Sequence, residues 1–201
     1  MEKEYHKNDI VEIIFKKDGE INYKIFKNIQ LAETILQKYY ANIRLDYHGV
    51  VDKTQIDQKL TDNKNNKICV ISYVGKYSDK RLSTRLDIIN RIKSGQVDFG
   101  ILIFKRCREF PQCNVFHQEG SKAWANKFIK MSDKAIFLDD SEDHYHSVKN
   151  LNIPNLKSIL FKGDYDDLVK IIKEEFPVEG GSYYTKYCKY KNKYLSLLSL
   201  E

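Results

Sequence analysis

Apolar and polar residues alternate along residues 10–15 and again along 21–26, on either side of Lys17-Asp18-Gly19-Glu20. Asp-Gly between two alternating runs predicts a β-hairpin, because both central residues of such a turn need a positive φ. Residues 30–40 then place Leu31, Ile35, Leu36 and Tyr39 at helical spacing. From Asn42 onward short apolar runs alternate with amphipathic stretches. Strands are expected at 43–45, 68–71, 97–104, 135–138 and 158–161. Helices are expected at 83–92, 122–131 and 164–175, with a helix end at 146–150. The last full helix puts Leu168, Ile171, Ile172 and Phe176 on one side.

Strands that alternate with helices predict an α/β fold, a Rossmann-like three-layer sandwich with a mostly parallel central sheet. In such sheets the chemistry collects at the carboxyl ends of the strands. Asp46, Ser72 and Asp139-Asp140 each follow directly on an apolar run. The organisation expected is an N-terminal hairpin and helix (1–41), a core (42–178), and a Gly180-Gly181 linker with a helical tail (179–201). In the tail Tyr183, Tyr187, Tyr190, Tyr194 and Leu197 are spaced by four, three, four and three. That seam fits a helix packed back on the domain, self-association into a homo-oligomer, or docking on an acidic partner.

Composition narrows the class. Hydrophobic residues are 42% of 201, enough for a core and against a disordered chain. The chain lacks an apolar run near the roughly 18 residues of a membrane span. Its first residues are polar and do not read as a signal peptide. A cytoplasmic protein without membrane contact is the expectation. The net charge is +6, and Lys186, Lys189, Lys191 and Lys193 of the tail hold four of those charges. A local basic tail is implied rather than a surface that coats nucleic acid. Cys69, Cys107, Cys113 and Cys188 are too dispersed for a disulfide framework. Cys107, Cys113 and His117 approach metal-ligand spacing, but without CxxC pairs or a clear fourth ligand.

Four separated segments together resemble the haloacid-dehalogenase (HAD) superfamily, across roughly residues 42–162. Residues 43–52, Ile-Arg-Leu-Asp-Tyr-His-Gly-Val-Val-Asp, resemble its first motif. Val70-Ile71-Ser72 resembles the second, Lys122 within Gly-Ser-Lys-Ala the third, and Phe137-Leu138-Asp139-Asp140-Ser141 the fourth. The resemblance implies a magnesium-dependent phosphomonoesterase in which Asp46 attacks phosphorus and becomes an aspartyl-phosphate. Covalent catalysis of this kind divides one hard displacement into two easier ones. Mg2+ would be held by Asp46, Asp140 and the backbone carbonyl of His48, with Asp139 acting through water or from behind the ligands. Ser72 and Lys122 would bind the phosphoryl oxygens, with Lys105, Lys127 and Lys134 as other lysines for that role. Lys122 would also keep Asp46 and Asp139 ionised.

His48 departs from the family pattern, which has Asp as general acid and base at that position. Imidazole, with an ordinary pKa of about 6.5, can move the same protons. Next to a divalent cation its protonated form is disfavoured, so three readings stay open: a phosphatase using His48, a slow phosphatase, and an inactive interaction module. Only about twenty residues separate the first two motifs, too few for an inserted cap domain. Capless members act on large phosphorylated substrates, including phosphoproteins and nucleic-acid ends. In the loop at 105–120, Lys105, Arg106, Arg108, Phe110, Phe116 and His117 fit contact with a phosphate-bearing polymer. The tail resembles Tyr/Lys-rich C-terminal segments of giant-virus proteins, which would place the chain in host cytoplasm or a virion.

Overall fold

The computed structural model describes residues 8–54, 60–74, 79–104, 111, 114–131 and 133–177. The hairpin forms as expected, with β1 (Val11–Lys17) and β2 (Glu20–Phe26) joined through Asp18 and Gly19 at φ 53° and 85°. Positive φ at both turn residues matches the right-handed twist of the two strands. Helix α1 (Ile29–Leu36) follows, its start capped by the Asn28 side chain, which accepts from the Leu31 N–H.

The chain then alternates between strand and helix. In order come β3 (Ile43–Asp46), β4 (Ile68–Val74), α2 (Asp79–Ser94), β5 (Phe99–Phe104), α3 (Ser121–Phe128), β6 (Ala135–Asp139), α4 (Glu142–Lys149), β7 (Leu156–Leu160) and α5 (Tyr165–Glu175). The seven strands among the described residues form one sheet in the order β2-β1-β5-β4-β3-β6-β7. Strands β3 to β7 are mutually parallel, and β1 runs antiparallel to both β2 and β5. The fold is therefore α/β with a mostly parallel mixed sheet. Pairing of Val11 with Ile103 and Phe15 with Phe99 shows that the hairpin extends the β5 edge of the same sheet.

Strand alternation sends side chains to two cores. On one face Cys69, Ile71 and Phe137 pack with Leu36 of α1, Trp124 of α3 and Val148 of α4. On the other Leu45, Val70 and Leu138 pack with Ile88 of α2 and with Leu168 and Ile172 of α5. Both faces are covered, as parallel strands require. Among the described residues no helix is long and apolar enough to cross a membrane.

Several expected boundaries move for identifiable reasons. Helix α1 stops at Leu36 instead of residue 40, and α3 at Phe128 instead of 131. The segments beyond them leave the helices to pair with each other: the Ala41 N–H donates to Lys130 O, and the Lys130 N–H to Tyr39 O. Helix α4 begins at Glu142, earlier than the expected helix end at 146–150. Strand β4 does not end before Ser72 but runs on to Val74, because β5 continues beside it and pairs Leu102 with Ser72. Cys107, Cys113, Cys188, Lys105, Arg106, Arg108, Phe110, the Gly-Gly linker and the Tyr/Lys tail lie outside the described residues. Phe116, expected as a polymer contact, is a core residue packed edge-on against Trp124.

Candidate active site

After β3 the chain builds β4 and β5 on one side of it, then crosses to build β6 and β7 on the other. The carboxyl ends of β3 and β6 flank that reversal, where open α/β sheets hold their ligands. Leu45 pairs with Leu138, so the next residues, Asp46 and Asp139, end neighbouring strands side by side. Oxygen atoms of Asp46, Asp139 and Asp140 all lie within 4.8 Å of one another. Three carboxylates at that spacing repel unless a cation joins them, and they can hold a metal ion.

Part of the charge is already answered by the protein. Lys122, in the first turn of α3 and 1% exposed, donates through Nζ to Asp46 Oδ1 and to the Ile71 carbonyl. Among the other lysines considered, Lys127 pairs with Glu119 and Lys134 with Glu175, both in partly exposed positions. The approach of Lys122 is braced by Arg44, two residues before Asp46 and fully buried. Arg44 donates to the carbonyls of Ala41 (3.1 Å), Asn126 (2.8 Å) and Ile129 (3.0 Å), and so clamps the end of α3 to β3. Asn126 in turn donates to the Lys122 carbonyl at 3.0 Å. Burial lowers the Arg44 guanidinium to about 10.

Lys122 was expected to favour the ionised form of Asp46 and does so, yet the carboxyl still lies above its ordinary value. Burial pushes the Asp46 carboxyl up, Lys122 opposes it, and Asp139 adds to the rise. Desolvation and a like charge together outweigh one ammonium. A bound cation would reverse that balance.

The turn after β3 makes room for Asp140. Gly49 has φ +83°, and a Cβ there would stand 1.9 Å from Asp140 Oδ2. Its N–H donates to Asp52 Oδ1 at 2.8 Å. The His48 ring is 51% exposed, lies edge-on to Tyr47, and has Nδ1 3.7 Å from Asp52. Its imidazole therefore lies apart from the clustered carboxylates Asp46, Asp139 and Asp140.

Ser72 was expected at a strand end beside Asp46. It lies within β4, sharing the alternation of Val70 and Val74 on the α2/α5 face, whereas Arg44 and Lys122 approach from the α3 face. Its hydroxyl is fully buried and has no hydrogen-bond partner among the described residues.

Two further residues reach the cluster. His144 Nδ1 lies 3.1 Å from Asp139 Oδ2, and Lys162, just beyond β7, donates to the Asp140 carbonyl. Ser141 followed by Glu142 and Asp143 carries a helix-start signal, which would have put His144 in a first turn next to Asp139. A charged residue inside the apolar run 43–45 likewise marks Arg44. No family profile, no curated protein and no solved structure matches this chain.

Proposed function

We propose that this chain is a magnesium-dependent phosphomonoesterase that works through an aspartyl-phosphate on Asp46. The observation that carries the reading is the buried Asp46, bonded to Lys122, sharing one cluster with Asp139 and Asp140 at the switch point of the sheet. The donor set is all carboxylate oxygen, which suits a hard cation such as Mg2+. Asp46, Asp139 and Asp140 would hold the ion, with the His48 carbonyl as a further oxygen. When bound, it would neutralise repulsion between the carboxylates and an incoming phosphate.

The chain's own groups account for the remaining steps. An Asp46 oxygen attacks phosphorus, and the bond from phosphorus to the ester oxygen breaks. The leaving alkoxide takes a proton, and the exposed His48 ring is the group available to supply it. Water then attacks phosphorus, giving its proton back to His48, and the bond from phosphorus to the Asp46 oxygen breaks, releasing phosphate and restoring the carboxylate. Lys122 offsets negative charge at the attacking oxygen throughout. The short connection from β3 to β4 favours a large phosphorylated substrate, a phosphoprotein or a nucleic-acid end, that covers the site itself.

One observation favours a second reading, a cation- and phosphate-binding module without turnover: His48 faces solvent and Asp52 rather than the carboxylate cluster. Hydrolysis of p-nitrophenyl phosphate and of a 3′- or 5′-phosphorylated oligonucleotide with Mg2+ separates the two. Turnover that vanishes in Asp46→Asn supports the enzyme. Stabilisation of the fold by Mg2+ with beryllofluoride but no turnover supports the module, and neither effect defeats both.

A further inference from the structure

His144 is the third residue of α4. Cα–Cβ bonds in a helix tilt toward its N-terminus, and here that tilt returns the imidazole over the end of β6. Nδ1 lies 3.1 Å from Asp139 Oδ2 and 3.3 Å from Oδ1. The Ser141 N–H donates to Oδ1 at 2.9 Å. Both oxygens of Asp139, which is 0% exposed, therefore meet donors from the turn and helix that follow it. The backbone of His144 is itself tied down, since the Ser147 hydroxyl donates to its carbonyl at 2.8 Å. An ionised carboxylate only accepts, so the contact requires a proton on Nδ1, which the neutral Nδ1–H tautomer supplies.

We infer that His144 is a positioning residue whose Nδ1–H fixes the orientation of Asp139 and thereby sets the affinity of the Asp46–Asp139–Asp140 cluster for a divalent cation. The inference rests on the cation site of the proposed function. Ligand carboxylates depend on hydrogen bonds from the groups behind them, and loss of such a partner weakens metal binding. The role belongs to one nitrogen at one place. An asparagine amide nitrogen stands near the position of Nδ1, and a glutamine nitrogen near that of Nε2.

The test is Mg2+ and Mn2+ titration of the full chain followed by thermal unfolding, with no requirement for turnover. His144→Ala is expected to weaken the apparent cation affinity by about 10–100-fold. His144→Asn should restore most of it and His144→Gln should not. Equal affinity in wild type, Ala, Asn and Gln forms overturns the inference while leaving the cation site standing. Restoration by Gln but not by Asn also overturns it, since Nε2 would then be the working atom. Absence of any cation-dependent stabilisation in the wild type overturns the site and the inference together. If the Ala form fails to fold, the comparison of Asn with Gln still decides.

Discussion

Strand β6 has a lysine–carboxylate contact at each end, and the two behave in opposite ways. At its carboxyl end Asp46 meets Lys122 beside Asp139, with both partners buried. At its amino end Glu175 meets Lys134 and Lys157, whose side chains are 46% and 59% exposed. Burial raises the Asp46 carboxyl despite its lysine. For Glu175 burial also pushes upward, but the bonds to Lys134 and Lys157 outweigh it and hold the carboxyl below the ordinary range. A lysine–carboxylate contact thus makes a solvated clasp at one end and a buried cluster of repelling carboxylates at the other. Water decides which, because it screens the exposed lysines and cannot reach the buried one.

The sharpest way to break this contrast is to remove one lysine at each end and compare urea unfolding. Lys122→Ala strands a buried carboxylate and should cost about 3–5 kcal/mol at neutral pH. Lys134→Ala or Lys157→Ala should cost no more than about 1 kcal/mol. Equal losses at the two ends would abolish the distinction. Arg44→Met comes next: the carbonyls of Ala41, Asn126 and Ile129 lose their donor inside the core, at about 3 kcal/mol in total. Under the proposed function, phosphatase activity should fall with it, as α3 loses its anchor on β3.

Gly49→Ala should destabilise by about 1–3 kcal/mol through its positive φ. Under the proposed function its larger effect should be on Mg2+-dependent stabilisation, because the new methyl group occupies the place of the Asp140 carboxylate. Retained cation response in this variant would remove Asp140 from the ligand set.

The smallest effect is in pH dependence, where the two ends should show opposite signs. Glu175 has a depressed folded pKa, so its contribution is complete above its ordinary value of about 4.5 and is lost as pH falls through the lower folded value. The stability gap between wild type and Glu175→Gln should close on acidification. Asp46 has a raised folded pKa, so in cation-free buffer its contribution is complete below its ordinary value of about 3.8 and is lost as pH rises through the folded value. Asp46→Asn should remove that slope and leave the acid limb of Glu175 in place.

Local rules made much of this protein readable from its residues alone. Asp18-Gly19 specified the hairpin because its turn needs positive φ. Among the described residues, alternation and helical spacing located the seven strands and four of the five α-helices, and showed only the end of α4. Asp46 and Asp139-Asp140 stood out because carboxylates interrupt apolar runs where parallel strands stop. Those signals act within a few residues, through backbone sterics and side-chain period. Only the tertiary structure decided that β3 and β6 are neighbours, that Lys122 rather than Lys127 or Lys134 meets Asp46, and that Ser72 sits inside β4. It alone brought Arg44 onto the end of α3. These contacts depend on which distant segments exclude water together, and desolvation is a property of the packed whole rather than of any stretch of chain.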